Sequence, residues 1–102
     1  MAPTESFAGF VLDQLAGLGV SARAMFGGHG LYLGERFFGI VHDDRLYLKT
    51  DDETRPWYEE RGMSPFRPNE RQRLKSYLEV PADAIEDREQ LVELAVEAAH
   101  LA

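Results

Sequence analysis

The sequence predicts an α+β domain. A two-layer sandwich is expected, in which a five-stranded antiparallel sheet, a meander plus one returning strand, is flanked by N-terminal, middle and C-terminal helices. Three observations predict it. Apolar residues recur at helical spacing near both ends of the chain, through Phe7, Phe10, Val11, Leu15 and Leu18 and again through Leu91, Leu94, Ala95 and Ala98. The stretch 22–50 alternates in short segments joined by the pairs Gly34-Glu35 and Asp43-Asp44. Connections that short join antiparallel neighbours, because parallel strands need a long crossover. Finally, 102 residues with 44% hydrophobic content suffice for one core and not for two.

The elements follow in order. Thr4 is placed to cap the first helix, with Glu5 beside the positive end of its dipole, and Gly17 and Gly19 supply a stop. The first strand is expected over Ala22–Phe26, the next over Leu31–Leu33, then Arg36–His42 and Arg45–Thr50. Asp51-Asp52-Glu53-Thr54 reads as a helix start with Pro56 in the first turn, and Gly62 ends that helix. Two prolines make residues 63–68 a loop. Arg71–Val80 is the fifth strand, closed by Pro81. Asp87 with Gln90 three residues on resembles a capping box and opens the last helix.

Between the first two strands lies Phe26-Gly27-Gly28-His29-Gly30, a loop candidate for ligand binding. Its glycines admit positive φ or the close approach of another backbone. They match neither the dinucleotide fingerprint nor a phosphate loop. Sorting strand residues by alternation puts Leu31, Leu33, Leu46, Leu48, Leu74, Leu78 and Val80 on one face. Tyr32, Tyr47, Lys49, Arg73, Lys75 and Tyr77 fall on the other, while Phe37, Phe38, Ile40 and Val41 make the middle strand apolar on both sides. Helices are expected over the aliphatic face, leaving the Tyr/Lys face partly bare. Tyr32, Tyr47, Lys49, Lys75 and Tyr77 are therefore the interface candidates, since aromatic residues are enriched at interface cores. On this reading Tyr47→Asp weakens association and spares the fold.

Charge and composition narrow the chemistry. The net charge is −7, yet residues 61–80 carry Arg61, Arg67, Arg71, Arg73 and Lys75 against Glu70 and Glu79. That basic strip is the alternative, nucleic-acid-binding candidate; an acidic domain neutralises phosphates poorly, so nucleic acid is not expected as a partner on its own. Without cysteine there is no disulfide and no thiolate ligand or nucleophile. His42-Asp43-Asp44 reads as a turn, because adjacent turn residues diverge and do not converge on an ion. No serine stands in a nucleophile elbow. No catalytic residue, metal or cofactor is assigned. No apolar run reaches the ~20 residues of a membrane span, and the N-terminus lacks a basic leader, so a cytoplasmic protein is expected.

The motifs also carry a resemblance. Met25-Phe26-Gly27-Gly28-x-Gly30-Leu31-Tyr32, Phe37-Phe38-Gly39-Ile40 and Asp44-x-Leu46-Tyr47-Leu48-Lys49 are followed by Tyr58-Glu59, Gly62, Phe66 and Tyr77-x-x-Val80-Pro81. In this order, from about Arg23 to Pro81, they resemble the N-terminal domain of the TfoX/Sxy family of competence (DNA transformation) regulators. The resemblance implies a five-stranded antiparallel sheet flanked by helices and a non-enzymatic, bacterial, cytoplasmic role in transcription regulation. Full-length relatives carry a second, helical domain and act with the cAMP-receptor transcription activator. Residues 1–102 are expected to form one stand-alone N-terminal-type domain. The expected partners are a second copy, as a homodimer, and another regulatory protein.

Overall fold

Short turns build most of the sheet, as their length requires. The computed structural model describes residues 3–25, 27–69, 71 and 73–102, the first four of these as backbone alone. Strands β1 (Ser21–Met25), β2 (Gly28–Leu33), β3 (Arg36–His42) and β4 (Arg45–Lys49) form the expected meander, each antiparallel to the next. The pairs Met25–Gly28, Leu33–Arg36 and His42–Arg45 each close a two-residue turn. Asp43 and Asp44 both take positive φ, 53° and 57°, the arrangement of a type I′ turn without the glycine it favours.

Beyond the meander, β6 (Leu74–Glu79) returns beside β4, and β5 (Pro65–Phe66) pairs with β6. The order is β1-β2-β3-β4-β6-β5, so the sheet has six strands among the described residues and not five. The extra strand falls where two prolines had indicated a loop. Proline lacks the N–H that a central strand needs, but an edge strand tolerates it, and β5 is an edge. β6 also starts at Leu74, three residues later than expected.

All the helices pack on one face. α1 (Pro3–Gln14) begins ahead of Thr4, which lies inside the first turn and not at the cap. After a 3₁₀ turn at Ala16–Leu18, Gly19 reaches φ +75° and ends the segment. Val11 and Leu15 are fully buried, whereas Phe10, expected beside them, is 43% exposed. The buried stripe runs through Ala8, Val11 and Leu15, and Phe10 points more than a third of a turn away from its centre. Before α2 (Arg55–Glu59), the Asp51 carboxylate accepts the N–H groups of Glu53 and Thr54, both at 2.9 Å. These bonds hold the Asp51 pKa below the usual carboxylate range, with the Thr54 N–H the largest cause. An unforeseen short helix, α3 (Ala82–Glu86), precedes α4 (Arg88–Leu101), and Asp87 accepts the Gln90 N–H at 3.2 Å as the capping pattern predicts.

The main core lies between this layer and the sheet, where Val11, Leu15, Leu31, Phe38, Leu46, Leu48, Leu78 and Leu91 meet. Gln14 ties the layer together: its amide donates to the Ile85 carbonyl at 3.0 Å, and its oxygen accepts from Arg88 Nε at 3.2 Å.

One irregularity decides what the other face presents. Leu31 lies opposite Gly39, but Tyr32 lies opposite Phe37, so Phe38 is an extra residue on β3. Such a bulge interrupts alternation. Phe38 and Val41 consequently join the main core, while Phe37 and Ile40 turn to the opposite face. This is why β3 reads as apolar on both sides. Gly39 has to be small there, since an added Cβ would lie 3.0 Å from Leu48 Cδ2 and 3.2 Å from the Tyr47 carbonyl oxygen.

Candidate interaction face

The face turned away from the helices carries its own aromatic cluster. Ile40, Tyr47, Phe66 and Tyr77 are buried together, with Phe37 and Leu74 packed against them. A continuous row crosses the sheet. Arg23 sits over the Tyr32 ring at 4.5 Å, Tyr32 meets Phe37 at 5.3 Å, and Phe37 stacks on Tyr77 at 5.4 Å. Lys49 completes the row, 5.3 Å from the Tyr77 ring. The Tyr77 hydroxyl donates to the Phe37 backbone carbonyl at 3.2 Å and ties its side chain to the β3 backbone. Aromatic contacts at these separations add about 0.5–1.5 kcal/mol each beyond the area they bury. The row thus ends in a cation at each side.

The interface candidates do not all lie open. Tyr32 and Lys49 are half-buried on this face, as expected. Tyr47 and Tyr77 are each only 7% exposed, so neither ring is free for a partner. Phe66 covers Tyr47, since β5 brings it to within 4.9 Å of the Tyr47 ring and 5.3 Å of His42, while Tyr77 lies against Phe37 and Lys49. Burial raises the Tyr47 pKa, Glu79 adds to the shift, and Arg45 opposes it; burial likewise raises that of Tyr77, with Tyr32 contributing. Lys75 is exposed on β6 and makes none of the row's contacts. Leu74, sorted with the aliphatic side by alternation, packs against the aromatic cluster instead, because the β5–β6 ladder shifts register between Pro65 and Phe66.

The glycine-rich loop is mostly strand. Gly28, His29 and Gly30 belong to β2, leaving Gly27, at φ +76°, in the turn; Phe26 lies outside the described residues. The glycines serve close packing. A Cβ on Gly28 would run into the Val41 carbonyl oxygen, and one on Gly30 would lie 2.7 Å from Met25 Sδ. His29 is held between Ala24 and Val41, and its Nδ1 is buried without a hydrogen-bond partner. It is not displayed from a loop.

The basic strip is divided. Arg61 belongs with α2, where its guanidinium donates to the Trp57 carbonyl at 2.8 Å and covers the Trp57 ring at 4.0 Å. Arg67, Arg71 and Arg73 are exposed along the connection from β5 to β6. Arg67 lines an open cavity of about 380 Å³ with His42, Arg45, Ser64, Tyr47 and Glu79. Both signs of charge line that cavity, and among the described residues no cluster of three or more His, Asp or Glu could hold a metal ion.

Sequence reasoning missed Arg23, Phe37, Ile40 and Phe66 as members of this face. Arg23 was legible, since alternation from Met25 places both on one side of β1. Phe37 and Phe66 were not, because a bulge and a proline-bearing edge strand placed them.

Comparison with known proteins adds a relative and a family. Over 60 residues the chain is 40% identical to a Spirochaeta aurantia protein described as "Uncharacterized 12.7 kDa protein in trpE 5'region". The match covers 58% of this chain and spans about half, 52%, of that protein's length. The family model described as TfoX N-terminal domain matches residues 13–102. The chain belongs to the TfoX N-terminal domain family.

Proposed function

We propose that this chain is a non-enzymatic regulatory domain of the TfoX kind that acts by binding another protein through the sheet face its helices leave bare. The row from Arg23 through Tyr32, Phe37 and Tyr77 to Lys49 carries the reading. Its two half-buried rings, Tyr32 and Phe37, supply apolar area at low entropy cost, and its terminal cations set the orientation of a partner. The partner that fits presents acidic side chains flanking an apolar or aromatic centre. Family membership supports a regulatory role, and competence regulation is the process the family name points to.

Stacking of nucleic-acid bases is less well matched to the row. Base stacking needs open ring faces. Here Arg23 covers Tyr32, Lys49 lies over Tyr77, and Phe37 is flanked by both tyrosines.

Peptides selected from a random library on the immobilised domain test the proposal. Recovered sequences should be rich in Asp, Glu and aromatic residues. Their affinity should fall about tenfold or more in Arg23→Glu and in Tyr32→Ala. Peptides that bind both variants unchanged, or that shift amide resonances of α4 and not of β2 and β3, would refute it. Tight, salt-dependent binding of single-stranded DNA, lost in Arg67→Glu with Arg73→Glu, would replace it with the nucleic-acid reading.

A further inference from the structure

The two edges of the sheet are built differently. β5, at one edge, is two residues long and contains Pro65, so it offers a very short and partly donor-free ladder. β1, at the other edge, is five residues long, contains no proline and pairs regularly with β2 along its whole length. Among the described residues no element besides β2 pairs with it. Natural sheets guard such an edge with proline, bulges, a covering segment or an outward charge. The only charge on β1 is Arg23, and its guanidinium lies back over the Tyr32 ring of β2.

Ladder geometry identifies the groups left over. Met25 and Gly28 close a two-residue hairpin and form its first hydrogen-bonded pair. Alternation outward from that pair turns the backbone groups of Ser21 and Arg23 toward β2 and those of Ala22 and Ala24 away from it. The outward groups thus belong to the two smallest side chains of the strand.

We propose that β1 pairs antiparallel with β1 of a second copy, joining two sheets into one about a two-fold axis. The occupant follows from having one open edge and one closed edge. Two open edges would polymerise, whereas a single open edge is satisfied by a closed, isologous pair. Centring the pair on Arg23 sets like charges directly opposite each other, which is destabilising. Centring it on an alanine avoids this and leaves the axis clear of bulky side chains. The Arg23–Tyr32 ends of the two aromatic rows then meet across the axis. This self-association uses the sheet's edge and not its face, so it stands apart from the partner contact proposed above.

Light scattering across a dilution series tests it. The expected mass is about twice 11.5 kDa for the wild type and near 11.5 kDa for Ala24→Pro, with circular dichroism unchanged. Proline at this position removes an outward N–H and leaves the β1–β2 ladder intact. A variant-free check is hydrogen exchange: the Ala22 and Ala24 amides should be protected only at concentrations where the dimer forms. A wild type that stays monomeric, a dimer that survives Ala24→Pro, or fast exchange at Ala22 and Ala24 in the dimer each overturns the proposal. Peptide binding by a monomeric wild type would overturn this inference and leave the proposed function standing.

Discussion

Replacing Tyr58 by phenylalanine should stabilise the protein. The Tyr58 ring is 1% exposed in the main core, and its hydroxyl is buried without a hydrogen-bond partner. Leaving such a group unsatisfied costs about 1–3 kcal/mol relative to an apolar replacement of the same shape. For a domain of this size each kilocalorie is worth roughly 4–8 °C in Tm, so Tyr58→Phe should raise Tm by about 4 °C or more. The same substitution has a pH signature. Burial raises the Tyr58 pKa above its ordinary 10.0, and the Glu97 carboxylate adds to the shift. Above pH 10 the unfolded chain therefore loses this proton while the folded chain keeps it. The folded state then binds more protons, so stability is intact below pH 10 and declines as pH rises further. The slope is about 1.4 kcal/mol per pH unit for each proton retained. Tyr47 and Tyr77, also raised, add to it. Urea unfolding of both proteins from pH 7 to 11 measures the two effects together. The variant should be more stable at neutral pH and lose stability less steeply above pH 10. A lower Tm, or an unchanged alkaline slope, would show that the hydroxyl is satisfied and the reasoning wrong.

Two further variants probe the face and its turns. Tyr47→Asp should destabilise the fold by about 3 kcal/mol or more, not merely weaken association, because it puts a carboxylate between Ile40 and Phe66 and near Glu79. Unfolding curves superimposable on the wild type would refute the burial argument. Asp43→Asn with Asp44→Gly should stabilise by about 1 kcal/mol, since both positions take positive φ and this pair suits a type I′ turn. A lower denaturation midpoint would show that the aspartates hold the turn by other means.

How much of this was legible beforehand depends on the range of the interaction responsible. The Asp87 cap, the Gly19 stop and the two-residue turns are local facts, each set by residues within a few positions of one another. Hydrophobic spacing and turn length therefore determined an antiparallel meander with helices on one side, and the ordered motifs determined the family. The aromatic face needed more. Alternation along each strand placed Tyr32, Tyr47 and Tyr77 on one side, but it could not say which of them would be covered. Phe66 covers Tyr47 because an edge strand pairs with β6, and Phe37 joins the row because a bulge at Phe38 shifts the register. Both depend on how one strand is seated against another. Register between strands is a property of the assembled sheet, and no single segment encodes it.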